Sequence, residues 1–308
     1  MKTIEEHNKE LEQTWSGKAK TYSSSLAKHN MPVMAFVSDL SKVPFNKTIL
    51  EIGCGNGEGT KYLTLQAPSH CVIYSLDFSE PMLDLANETF KNFTNFNLNK
   101  DNSFERLTKE SIKQKLTVKN EIQKTTSGTH VKFIPGDCEN LPFADEQFET
   151  YVSCLCLHLT NDYHQALKEA YRVLQKGGHF AMALWGKREL TNFRLIEDVC
   201  DKYGLNIKCF RNYRMSEDKA LISFCEGLGF RKVRVSYSNL IRDVAEDEFE
   251  FYEKFFDKDL KNQIEEIGKK DPAKAKEIDD AIKAKLHEFF AIEKKVPEQN
   301  VMYLYGRK

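Results

Sequence analysis

The sequence lacks the marks of several protein classes. No window approaches the ~18 uninterrupted apolar residues of a membrane-spanning helix, and no cysteines stand at CxxC spacing beside histidines, which removes the common structural zinc sites. An excess of one charge is missing as well. The 45 Lys+Arg and 46 Asp+Glu leave a formal net charge of -1, which argues against a globally basic nucleic-acid binder or a polybasic membrane protein. The N-terminal MKTIEEHNKELEQTW has no apolar core of a secretory leader. The eight cysteines are scattered, several of them inside apolar runs such as CVIYSLD and YVSCLCL. They read as reduced core thiols, and the chain as a soluble cytoplasmic protein.

What is present points to a layered α/β chain. With 308 residues, 41% of them hydrophobic, it can bury a sizeable core in one large domain or two smaller ones. Short apolar runs alternate with helical patterns, as in a parallel sheet covered by helices. The runs are Thr48 to Gly53, Cys71 to Asp77, Val131 to Pro135, Phe148 to Cys154 and His179 to Leu184. Phe230 to Ser236 and Asn300 to Tyr305 are less apolar and are expected near an edge. Ser79-Glu80-Pro81 reads as a helix cap and first turn. Asn161 or Asp162 caps a helix that Gly177 and Gly178 are expected to stop, and Ser216 opens another. Residues 92–130, rich in Asn and Lys and poor in large apolar side chains, read as a surface insertion, partly disordered. Residues 241–296 are highly charged but carry Phe249, Phe251, Phe255, Phe256, Ile278, Ile282 and Leu286 at roughly helical intervals, with a start at Asp271-Pro272. They read as a helical add-on or lid.

Three short motifs carry chemistry. In Ile49-Leu50-Glu51-Ile52-Gly53-Cys54-Gly55-Asn56-Gly57 an apolar strand runs into a glycine-rich turn and then a helix, where positive φ and free N–H groups favour a ligand. Glu58 stands where a dinucleotide fingerprint needs its third glycine, and with Glu51 it disfavours a pyrophosphate, so a nicotinamide-dependent dehydrogenase is the weaker reading. Asp77 ends the second strand, where a carboxylate can accept from two ribose hydroxyls; the alternative is a helix cap, a role Ser79 fills better. In Gly136-Asp137-Cys138-Glu139-Asn140-Leu141-Pro142-Phe143 an Asp and the next amide can read the edge of an adenine.

From Phe45 to Gly186 the segments EIGCGNGEGT, SLDFSEPML, GDCENLPF, FETYVSCLCLHL and YRVLQKGGHFAMALWG, in that order, resemble the class I S-adenosylmethionine-dependent methyltransferases, particularly their small-molecule, type 11-like branch. The resemblance implies an α/β, Rossmann-like, seven-stranded and mostly parallel sheet with the last strand antiparallel, helices on both faces and an α-helical lid or add-on. It divides the chain into an N-terminal helical cap (1–44), a core (45–240 with 297–308) and the add-on (241–296). The implied cofactor is S-adenosyl-L-methionine. Gly53, Gly55, Asn56 and Gly57 would face its methionine part and ribose, and Asp77 the ribose hydroxyls. Phe78 and Met82 would line the adenine pocket, Asp137 and Cys138 would read the adenine edge, and Ser153 would lie near the sulfonium. Trp15 and Tyr22 are similar to an aromatic pair that covers the cofactor in relatives. His158, just beyond the fourth strand, is the candidate general base, with a packing histidine as the alternative.

The expected reaction is in-line attack on the sulfonium methyl by a small, partly apolar acceptor, which asks mainly for proximity and alignment. Ser153-Cys154-Leu155-Cys156 lacks the proline-rich tetrad of many amino-group DNA methyltransferases, so no nucleic-acid partner is expected. The competing reading is a methyltransferase-like scaffold with vestigial cofactor binding that meets a protein partner through 92–130 or 241–296.

Overall fold

The computed structural model describes residues 30–96, 103–106, 129–187, 196–205, 213–241, 258–293 and 298–308, with the isolated positions 13 and 17. The apolar runs become strands because a sheet covered on both faces needs near-continuous hydrophobic segments. In β1 (Thr48–Ile52), Ile49, Leu50 and Ile52 are all buried. After it follow β2 (Val72–Asp77), β3 (Ser103–Arg106), β4 (His130–Pro135), β5 (Phe148–Cys154), β6 (Leu174–Trp185), β7 (Arg231–Ile241) and β8 (Glu298–Arg307). The sheet runs in the order β3-β4-β2-β1-β5-β6-β8-β7. The pairs β1–β2, β1–β5, β2–β4, β3–β4 and β5–β6 are parallel. Strand β8 runs against β6, because Lys308 N–H donates to Gly178 O while Gly186 N–H donates to Asn300 O.

The seven strands expected from the sequence are thus joined by an eighth, β3, at the edge beside β4 and inside the 92–130 insertion. Strands β7 and β8 lie near an edge as expected, β7 as the edge strand and β8 next to it, with Val301, Met302, Tyr303 and Leu304 of β8 buried. One expectation is corrected. The helix before β6 stops before the glycines. It ends at Val173, and Leu174 already pairs with Phe148, so strand pairing overrides the glycine stop and leaves Gly177 (φ 81°) within β6.

In the sheet unit (residues 1–184, 217–236 and 303–308) the helices after Ser79 and Asp162 start where the sequence places their caps, whereas the helix expected to open at Ser216 has Glu217 as its N-cap, with no side-chain cap bond. Helix α1 (Met31–Leu40) buries Val33, Met34 and Val37, and α2 (Glu58–Gln66) follows Gly57. Helix α3 (Glu80–Phe96) follows Ser79, whose carbonyl accepts from Leu83 N–H. Helix α4 (Tyr163–Val173) is capped by Asp162, whose carboxylate accepts from His164 and Gln165 N–H, and it buries Ala166, Leu167, Ala170 and Val173. Helix α6 (Asp218–Leu228) ends at Gly229.

The second unit (residues 185–216 and 237–302) contains α5 (Glu197–Tyr203), α7 (Lys258–Gly268) and α8 (Pro272–His287). Asp271 caps α8, and Ile278, Ile282 and Leu286, four residues apart, close a separate apolar core with Val199, Leu260 and Ile264. Trp15, Tyr22, Phe249, Phe251, Phe255 and Phe256 lie outside the described residues. Among the described residues no helix is long and apolar enough to cross a membrane, and no group of three metal-binding side chains is found.

Candidate functional site

The tips of β1 and β2 build one wall of a cleft. The turn after β1 places Gly53, Gly55 and Gly57 at φ 69°, 55° and 81°, in the left-handed region that favours glycine. Space also demands glycine at two of them. A Cβ on Gly53 would lie 2.6 Å from Cys156 Cβ, and one on Gly57 would lie 3.1 Å from Ala86 of α3. The turn is therefore shaped as much by protein packing as by room for a ligand. Gly53 and Cys54 N–H both donate to Leu76 O at the end of β2, at 2.8 and 3.1 Å.

Asp77 closes this wall. Its Oδ2 accepts from Gly55 N–H at 2.8 Å and its Oδ1 from Ser79 N–H at 2.9 Å, so it steadies the glycine turn and the start of α3 together. Burial raises its pKa above the ordinary value, and these amide bonds oppose the rise. Next to it in the interior, Glu51 is only 1% exposed. Its Oε2 accepts from Thr60 Oγ1 at 2.6 Å and Ser75 Oγ at 2.7 Å, while Oε1 has no hydrogen-bond partner. Burial pushes its pKa up to about 7.

The facing wall comes from the loops after β4 and β5. Asp137 Oδ1 accepts from Glu139 N–H at 2.9 Å, which curls the first loop. Helix α4 then holds that loop from outside. Arg172 donates to Phe143 O at 2.7 Å and Leu141 O at 3.1 Å, and grips Glu169 and Asp145 with its remaining N–H groups. Glu169 in turn accepts from Leu141 N–H at 2.8 Å. In the second loop Leu155 adopts φ 53°, costly for a non-glycine residue, while its N–H donates to Ala183 O at 2.8 Å. Glu139 Oε1 joins the loops by accepting from Asn161 N–H at 2.6 Å.

The space between the walls is an open cleft. The cleft brings together Gly53, Gly55, Asp77, Phe78, Met82, Asp137 and Cys138, all singled out by the sequence. Asn56 and Gly57 belong to the turn but not to the lining, and Ser153 is buried within β5. His158 is 2% exposed in the 3-10 turn Leu157–Leu159 and is also off the lining, which favours the packing alternative over a base. Tyr22 lies outside the described residues. Sequence reasoning missed Glu139, Cys154, Leu155, Cys156, Leu159 and Thr160 on the wall. GDCENLPF and CLCLHLT contain them, but no local pattern says which side chains in an irregular strand exit face a ligand. The charged side chains of the lining are Asp77, Asp137 and Glu139, all acidic, which suits a ligand that carries positive charge.

Two family models, each described as a methyltransferase domain, match residues 49–120 and 105–182. These matches support a class I S-adenosylmethionine-dependent methyltransferase. This methyltransferase is 28% identical over 162 residues to the biotin biosynthesis bifunctional protein of Teredinibacter turnerae, covering 51% of the chain and 23% of that protein. It is 29% identical over 132 residues to a ubiquinone/menaquinone biosynthesis C-methyltransferase of Brucella canis, covering 38% and 48%. The methyltransferase thus spans less than half the length of these curated relatives. The solved phosphoethanolamine N-methyltransferase 2 of Haemonchus contortus, in complex with phosphomonomethylethanolamine and S-adenosylhomocysteine, superposes with a TM-score of 0.51 at 16% identity. That match covers 100% of this chain and 60% of the other, and speaks to the fold alone. S-adenosylmethionine is the family's cofactor, and the cleft fits it. An acidic wall accommodates a sulfonium, and two carboxylates, the buried Asp77 and the half-buried Asp137, stand at the ends of the adjacent parallel strands β2 and β4.

Proposed function

We propose that this methyltransferase moves the methyl group of S-adenosylmethionine to a small organic acceptor. The observation that carries the reading is the convergence of the Gly53–Gly57 turn, Asp77 and Asp137 on one cleft at the C-terminal ends of parallel β1, β2 and β4. When bound, the cofactor supplies a methyl group already activated by its sulfonium. The protein's task is then placement. Asp77 accepts the ribose hydroxyls, Asp137 and the amide of Cys138 meet the adenine edge, and Phe78 and Met82 flank the base. Gly53 and Gly55 leave room for the methionine part. Leu155, Cys156 and Leu159 give the far wall an apolar, water-excluding surface beside a partly apolar acceptor.

Isothermal titration with S-adenosylmethionine and S-adenosylhomocysteine, beside NADH, tests this reading. Wild-type protein should bind the first two and not NADH. Asp77→Ala should lose about 100-fold or more in affinity, as expected for removing two charge-assisted hydrogen bonds. Failure of folded wild-type protein to bind either ligand would sink the proposal.

A further inference from the structure

The two loops of the far wall are joined by one side chain that the cofactor reading does not need. The loop after β4 carries Asp137 and Cys138, while the loop after β5 carries Leu155, Cys156, Leu159 and Thr160. Glu139 is half-buried in the cleft lining, and its Oε1 accepts from the backbone N–H of Asn161, 22 residues away. Asn161 directly precedes Asp162, the cap of α4. The same helix holds the other end of the Asp137 loop through Arg172 and Glu169. The loop is therefore tied at both ends to this helix and its cap region, and the Glu139 pin ends on Asn161, next to the Leu155–Thr160 wall.

We propose that Glu139 is a positioning residue that transmits the order of the cofactor loop to the acceptor-side wall by fastening Asn161. The inference rests on the cofactor reading above. Its charge is not the useful property. Burial is the main cost of its negative charge and the carboxylates of Asp137 and Asp162 add to it, while the amides of Asn161 and Asp162 oppose it. What the site uses is an acceptor oxygen of the right reach, which a glutamine also offers.

The test compares wild type, Glu139→Gln and Glu139→Ala by titration with S-adenosylhomocysteine, together with amide hydrogen exchange of the wild type. Glu139→Ala should weaken binding about tenfold or more, and Glu139→Gln should stay within about threefold of wild type. Rescue by glutamine separates a missing acceptor from a general loss of packing. In wild type, the Asn161 amide should gain protection when S-adenosylhomocysteine binds, a result that does not depend on any variant folding. The inference is overturned if alanine binds like wild type, if glutamine is as weak as alanine, or if Asn161 protection is unchanged by ligand. Wild-type protein that binds nothing overturns the cofactor reading itself, and the missing wild-type signal sets that outcome apart.

Discussion

The two walls of the cleft are fastened in different ways. The wall at β1 and β2 holds itself. Its glycine turn bonds to Leu76 O and Asp77, and Glu51 Oε2 accepts from Thr60 and Ser75 on elements immediately alongside. The wall built after β4 and β5 has little regular structure of its own and is held from α4 by Arg172, Glu169 and the Glu139–Asn161 bond. The first wall concentrates strain and burial in a few residues, whereas the second spreads its support over contacts remote in sequence. Substitutions in the first wall should therefore damage stability directly, and substitutions in the supports of the second should loosen one loop.

The largest effect should follow Gly53→Ala. The new Cβ meets both a left-handed φ and the Cys156 side chain, and the combined cost should be about 4 kcal/mol in urea unfolding. If the clash with Cys156 is a real part of that cost, a double-mutant cycle with Cys156→Gly should show a favourable coupling of at least ~1 kcal/mol. Additive behaviour would mean that the backbone conformation alone demands glycine.

Next comes Arg172→Ala, which strands the carbonyls of Leu141 and Phe143 and leaves Glu169 without its partner. It should cost about 3 kcal/mol and raise amide exchange across residues 137–143 while sparing 53–57. Equal loosening of both segments would erase the distinction between the walls.

The third effect concerns Glu51 and is visible only through pH. Its folded pKa is raised from 4.5 to about 7, so the folded state binds the extra proton in that window. The stability linked to this proton is fully present below about pH 4.5 and is lost as pH rises through about 7. Glu51→Gln should therefore gain relative to wild type across the window, by about 3 kcal/mol, and then run level with it above. Parallel stability profiles for the two proteins would show that Glu51 is not buried as a proton-sensitive group.

How much of this was legible in the sequence divides along the same line. The apolar runs, the caps at Ser79, Asp162 and Asp271, and the cleft-lining Gly53, Gly55, Asp77 and Asp137 could be read because each depends on neighbours a few residues away. The end of α4 could not, since Leu174 was claimed by pairing with Phe148 and the glycines that should have stopped the helix lie inside a strand. The edge strand β3 was hidden for the same reason: sheet order is decided between segments distant in the chain. His158 looked like a base because it follows a strand tip, yet its direction depends on the turn around it, which buries it.

By itself the sequence determined the layered α/β plan and the acidic, glycine-lined character of the site, because hydrophobic period, turn chemistry and residue type are local properties. Only the tertiary structure decided that Gly53 must make room for Cys156, that Leu155 is forced into a left-handed turn on the cleft wall, and that Glu139 reaches Asn161. Each depends on where separate strand exits meet, and that is fixed by the packing of the whole sheet against its helices.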